Sequence, residues 1–462
     1  MISNFAPTSV PPMVRPSYRR EMVTAMSTPA VVALVEAGVV GVLAAKVFDV
    51  TAVQLALITA APMFANLTSF GWARASRGKR KVPFITLTMA ATAICVAAIA
   101  TLPTTPAGAW MLTALVVCAR CLLTGVITVR SIVWRHNYPR HLRGQIAGKL
   151  ALLTSIMVFL VPVTTSILLD IQTEFFRLYY PLGGLLAVVG VLSFSGIRLR
   201  RERSLLAYER RPASKPEPHG ETGVIYEYDD QLPATSSVWA VLRNDPMFRR
   251  YLTWQFAGGM SAMMAEPVAI ALIAGATLGI QGEFLLSVGI VQSVPTLLML
   301  LTLPLWGRLL DRTHIVQFRV HQSWLWITGQ ALMWAGAAWI FSGNLVGGLV
   351  LFATARLVIG IARGGGVLAW NLGHNDFASR EMVAAYMGIH VTLTGVRGAI
   401  APFLGVLLYQ GWDGDFLTSW AGMGPHVFAV STTLAIMSML GFRSLWQDIQ
   451  REQDEAAPDA AV

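Results

Sequence analysis

A chain of 462 residues that is 55% hydrophobic and 13% charged is too poor in charge for a water-soluble protein, which carries roughly 25% charged residues. Its mean hydropathy of +0.57 makes lipid the solvent that suits it, so the several soluble domains that length alone suggests are excluded. The formal charge of +10 does not indicate nucleic acid as a partner, because the positive residues gather at the ends of apolar runs, as membrane orientation requires.

The first 26 residues contain Pro7, Pro11, Pro12 and Pro16 and no long apolar run, so they are expected to be a tail (1–26) and not a cleaved signal. A membrane helix needs ~20 mostly apolar residues. Such runs fall at about 27–48, 51–73, 82–102, 108–130, 145–169 and 178–197, giving a first bundle over 27–197. Residues 198–249 are a polar linker. It begins basic (Arg198, Arg200, Arg201, Arg203, Arg210, Arg211), turns acidic and Pro-rich from Pro212 to Asp230, and ends in a short amphipathic stretch near Val238–Leu242. Six further runs, at about 250–276, 283–306, 320–342, 345–368, 384–409 and 426–446, make a second bundle over 250–446. A polar tail (447–462) follows. The predicted fold is all-α integral membrane, with twelve transmembrane helices in two pseudo-symmetric six-helix bundles.

Charge predicts the orientation. Arg74, Arg77, Lys79, Arg80, Lys81, Arg135, Arg140 and Arg143 lie on one side, while Asp49, Asp170, Glu174, Glu283, Asp413 and Asp415 lie on the other. Both termini and the linker are therefore expected in the cytoplasm, in a multi-pass protein of a bacterial-type inner membrane. Trp110, Trp134, Trp306, Trp370 and Trp412 fall near predicted span ends, where interfacial anchors belong.

The two bundles share a pattern. Arg120, Trp134 and Gly71 recur as Arg356, Trp370 and Gly307, each 236 positions later. Gly148 and Pro162 in the fifth run match Gly388 and Pro402 in the eleventh, and Glu36 in the first matches Glu266 in the seventh. Pro162, Pro267, Pro295 and Pro402 are placed to kink spans.

The loop after the second run reads Gly71-Trp-Ala-Arg-Ala-Ser-Arg-Gly78-Lys79-Arg80-Lys81, and the loop after the eighth reads Gly307-Arg-Leu-Leu-Asp311-Arg312-Thr-His314. These resemble the signature loop of the major facilitator superfamily, at the same place in each half. The first copy has Ala75 and Ser76 where that pattern has Asp-Arg, and the second has His314 in place of its second Gly. The resemblance implies alternating access between two rocking halves, with the first, fourth, seventh and tenth spans lining the path. It also implies that the loop residues Gly71, Gly78, Lys79, Arg80, Gly307, Asp311 and Arg312 gate it. Arg356 with Gly360 is similar to the Arg-three-residues-Gly pattern of proton-coupled members, whereas Gly125 stands one place late after Arg120.

Charged residues inside apolar runs are expensive and mark pathways. Glu36, Arg120, Glu266 and Arg356 fall one on each of the four path-lining spans. Arg363 lies two turns after Arg356, and Arg397 and His390 share one face of the eleventh run. Arg120, Arg356, Arg363 and Arg397 are the candidate substrate contacts, since guanidinium binds carboxylate and phosphate. Glu36, Glu266 and His390 are the candidate proton carriers. The Glu–Arg pairs equally suit helix–helix clamps, and His390 a hydrogen-bonded core histidine.

Catalysis is not expected. Cys95, Cys118 and Cys121 lie within apolar runs and imply neither a disulfide framework nor a metal site. Gly364-Gly365-Gly366 lacks the Lys-Ser/Thr of a phosphate loop and suits close helix packing. With no cofactor, no metal and no nucleotide loop, the expectation is a monomeric secondary transporter of a small anionic or amphipathic solute, coupled to protons or sodium. The alternatives are a multidrug or metabolite efflux antiporter, or a membrane receptor or assembly subunit that moves nothing.

Overall fold

In hydrocarbon each backbone N–H and C=O must be satisfied within its own segment, so apolar runs of this length become helices. The computed structural model describes residues 6, 10–210, 238–374, 376–378, 383–412 and 419–456. Among these, ten helices, or eleven counting one bent pair, are long and apolar enough to cross a membrane, and Ile315–Phe341 packed among them makes twelve spans. The first six are Arg15–Val47, Ala52–Leu67 with Ser69–Ser76, Lys81–Thr101, Pro106–Asn137, Arg140–Ile171 and Phe176–Ser195. The second six are Pro246–Ala276, Glu283–Leu310, Ile315–Phe341, Leu345–Leu372, Val383–Gln410 and Val427–Ala456. The second span bends by 43° at Thr68, whose hydroxyl donates to the Ala65 carbonyl at 2.7 Å; such back-bonding bends helices. The ninth span is the least apolar, carrying Arg319, His321, Gln322 and Gln330, yet it packs fully into the second bundle.

Three segments differ from the sequence-based expectation. The first helix starts at Arg15, well inside the stretch assigned to the tail, because Tyr18 and Glu21 are buried and Glu21 accepts hydrogen bonds from Arg130 and Trp134. The last helix continues to Ala456 rather than ending near 446, held by an Arg250–Asp448 pair at 2.7 Å. The linker contains helices at Glu202–Glu209 and Val238–Asn244. The Pro212–Asp230 stretch, Arg211, Asp413 and Asp415 lie outside the described residues. Trp306, expected at an interface, is buried and donates to the Ile361 carbonyl at 2.7 Å.

The bundles meet along three lines: first span on seventh, second on eleventh, and fifth on eighth. Small residues bring them close, as is usual in membranes. Met63 fills the space beside Gly398 and Leu67 the space beside Gly395. Within the second bundle, a Cβ on Gly405 would stand 2.0 Å from the Met264 carbonyl oxygen, so only glycine fits there.

One face carries the chain ends and the linker; on the opposite face the halves are tied together. Asp170, at the end of the fifth span, accepts from the backbone N–H of Phe284 at 2.7 Å and Leu285 at 2.9 Å. It thus caps the helix that starts at Glu283, and a carboxylate at a helix N-terminus is favourable in charge as well as hydrogen bonding. Lys46 reaches Glu283 across the same boundary at 3.6 Å. Replacing Asp170 by Ala removes two charge-assisted bonds worth ~1.5–3 kcal/mol each. Amide exchange over residues 283–288 is therefore expected to speed at least about tenfold; an unchanged rate would show that the tie does not hold.

Candidate functional site

Two irregularities in the helices build the site. The first span loses its helix at Val35 and Glu36, where Glu36 is extended (φ −69°, ψ 136°). This frees the Val35 carbonyl, which accepts from Arg120 Nε at 3.1 Å and Nη2 at 2.6 Å. The same Nη2 donates to Glu36 at 2.7 Å. In the eighth span, residues Gly289–Ser293 widen into a π-helix, a feature frequent at functional sites. It presents the Val291 carbonyl, which accepts from Arg356 Nη2 at 2.5 Å. Each half thus solvates its in-span arginine, buried Arg356 and part-buried Arg120, with a carboxylate and with a carbonyl released from regular helix.

The pairs differ in strength. Arg356, whose side chain is 2% exposed, holds Glu266 through both oxygens, at 3.0 and 3.1 Å. Arg363 takes the same Glu266 Oε2 at 3.1 Å, so one carboxylate serves two guanidiniums. Glu36 is 33% exposed and bonds Arg120 through one oxygen. Two-point geometry is the stronger form.

Between the bundles lies a cavity of ≈280 Å³ lined by Glu36, Glu266, Arg356, Arg363, Gln292 and Trp326, among others. Arg120 stands behind Glu36 and does not line it. Two carboxylates against three guanidiniums, counting Arg120, leave a local surplus of one positive charge. Arg397 and His390 are not in this cavity. Arg397 is buried inside the second bundle, donating to the Gln255 carbonyl at 2.7 Å, and His390 lies within 3.3 Å of the Gln255 side-chain amide.

The loops of the terminal face are organised by carboxylates from other parts of the chain. In the first, Glu209 of the linker helix accepts from the Gly78 N–H and from Lys81, both at 2.6 Å. Gly78 has φ 68°, a backbone region open chiefly to glycine. Arg80 pairs with Glu202 at 3.3 Å. Lys79 sits over the Phe84 ring. In the second loop, Asp376 accepts from the Ile315 N–H at 2.7 Å, and His314 Nδ1 accepts from Val316 at 3.2 Å. Burial pushes the His314 imidazole below its usual range against the opposing pull of Asp376. Asp311, expected among the gating residues, is exposed, and among the described residues neither it nor Arg312 makes a side-chain hydrogen bond or ion pair. Gly71 and Gly307 have open space around them.

Several contributors escaped sequence reasoning: Arg319, Gln292, Trp326, Glu209 and Asp376. Arg319 and Gln292 had a usable signal, being polar within or beside apolar runs; Glu209 and Asp376 had none.

A twelve-span duplicated chain with its charges at the junction of the halves agrees with the sequence comparison. The model of the Major Facilitator Superfamily matches residues 22–402. This chain belongs to that superfamily. No curated protein matches it. Among solved structures, the nucleoside transporter NupG has a TM-score of 0.65 at 12% identity, covering 93% of this chain and 99% of its own. A D-xylose–proton symporter has a TM-score of 0.65 at 10% identity, covering 93% and 97%. A POT peptide transporter in complex with sulfate has a TM-score of 0.61 at 14% identity, covering 94% of each chain. At these identities the likeness is one of fold. The superfamily membership makes this protein a multi-pass membrane transporter and not an enzyme.

Because Glu266 neutralises two guanidiniums and Glu36 is partly wet, their loss should differ in cost. Glu266→Gln is expected to destabilise the purified protein by ~3–5 kcal/mol, as when one partner of a buried pair is removed. Glu36→Gln is expected to cost about 1 kcal/mol or less. Equal losses in denaturation experiments would contradict the assignment.

Proposed function

We propose that this protein moves a small anionic or amphipathic solute through the cavity between its halves by alternating access, with Glu266 carrying the coupling proton. The observation behind this reading is that Glu266 is shared between Arg356 and Arg363 at the cavity wall. While the carboxylate is ionised it occupies both guanidiniums. Protonated, it releases them, and an anionic group entering the cavity takes its place, since guanidinium favours carboxylate and phosphate. Proton and anion are thereby coupled at one atom set. Glu36, facing the same cavity, is the second candidate carrier, and Arg120 holds it in place. Arg363, which has a single carboxylate bond, is the guanidinium freed most easily to meet solute.

The ties on the opposite face support a state closed there and open toward the terminal face. The positive residues of the loops on the terminal face support a cytoplasmic position for that face, in an inner membrane. Rocking about the central site would then expose the cavity to the other side, with the Gly78 and Asp311 loops at the moving edge.

In proteoliposomes containing a pH-sensitive dye, a panel of small carboxylates and phosphorylated solutes is expected to include one that drives proton movement through the wild-type protein. Glu266→Gln should abolish the proton movement while retaining solute exchange. Wild-type proton movement in both Glu266→Gln and Glu36→Gln would overturn the assignment of the carriers.

A further inference from the structure

A second cavity, of ≈170 Å³, lies inside the second bundle between the seventh, ninth, tenth, eleventh and twelfth spans. It shares Ala262, Met263 and Trp326 with the central cavity, so the two are neighbours across one wall. Two guanidiniums line it, Arg319 and Arg397. Arg397 is 6% exposed; its Nη1 donates to the Gln255 carbonyl, and its Nε is buried with no partner. Arg319 donates through Nη1 to Gln322 Oε1 at 3.0 Å, and its Nε is likewise buried with no partner. Among the described residues neither forms an ion pair, and no carboxylate lines the cavity.

This sets the pair apart from the central site, where Arg120, Arg356 and Arg363 each have a carboxylate. A buried guanidinium without counter-charge is costly at membrane depth, and two beside one small cavity also repel each other. The backbone is shaped to hold Arg397 nonetheless: a Cβ at Gly259 would fall 2.0 Å from its Cζ. Of the remaining polar lining, Ser323 and Ser438 already donate to the Arg319 and Trp254 carbonyls, both at 2.7 Å, which leaves the two-hydrogen amides of Gln255 and Gln322 able to donate further.

We propose that this cavity is a binding site for a small oxyanion group, a carboxylate, phosphate or sulfate, held between Arg319 and Arg397. The charge excludes a cation, and the volume suits one such group and not a nucleotide. The group has two possible sources: a free anion resident in the bundle, or the anionic end of a transported solute whose body lies in the central cavity. The second source rests on the function proposed above; the site itself does not.

The test uses the purified full-length protein and three probes, inorganic phosphate, sulfate and acetate, each replacing chloride at constant ionic strength. Calorimetric binding and a concentration-dependent rise in Tm are expected for at least one probe. Arg397→Gln and Arg319→Gln should each weaken that binding about tenfold or more, as for a lost charged contact. Arg319, which is half-buried, gives a variant that keeps the test decisive if Arg397→Gln does not fold. Absence of binding by all three probes, or binding unchanged in both variants, would overturn the proposal. Probe binding is read in Arg319→Gln and Arg397→Gln and proton movement in Glu266→Gln, so failure of this site and failure of the proton-carrier assignment are separable. Counterflow of the radiolabelled probe in proteoliposomes then identifies the source. Accumulation lost in Arg319→Gln shows a transported group, and binding without accumulation shows a resident anion; either result supports the site.

Discussion

A guanidinium placed inside hydrocarbon must have its charge answered nearby, and in the second bundle Glu266 answers two of them. Much of the local structure follows from that demand. Arginine has five N–H donors in a fixed plane, and a regular helix in lipid keeps its carbonyls for its own backbone. The eighth span therefore widens at Gly289–Ser293 to release Val291, and the first span breaks at Val35 and Glu36 for Arg120. Helix regularity is given up where buried charge needs acceptors. Glu36, Glu266, Gln292 and Arg356, which belong to or border these irregular segments, also wall the central cavity.

The two halves have kept the plan and divided the work. Arg120 and Glu36 make a single-point pair whose carboxylate is partly wet, whereas Arg356 and Glu266 make a two-point pair that is further loaded by Arg363. The terminal-face loops diverged in the same way. Neither uses the acid at the family's position. One takes Glu209 from the linker helix and the other takes Asp376 from beyond the tenth span. What each loop needs is an anion beside the start of the helix that follows it, and the chain supplies it from whichever segment passes close by.

Much of this was legible in the sequence. The spans were visible because ~20 apolar residues have few other uses, and the duplication because charges and glycines recur at matching depth. Glu36, Arg120, Glu266 and Arg356 were correctly placed one to a span, since a charge inside an apolar run cannot be hidden. Which way a helix faces was not legible. An apolar helix buried on many sides has weak periodicity, so Arg397 and Arg356 looked like members of one site although they lie in different cavities. Arg319 was missed because the ninth span begins at Ile315, five residues before its apolar run. The π-helical segment has no sequence signature, and the docking of Glu209 depends on tertiary contact between a polar linker and a basic loop.

The dependence of the second bundle on the Glu266–Arg356 pair is tested most directly by a double-mutant cycle. Glu266→Gln, Arg356→Gln and the double variant would be denatured in the same detergent and compared with the wild type. The account predicts that the double variant loses less stability than the two single losses added together, with a coupling of about 1–3 kcal/mol. Strictly additive losses would contradict it, showing that the two charges are buried side by side without depending on each other.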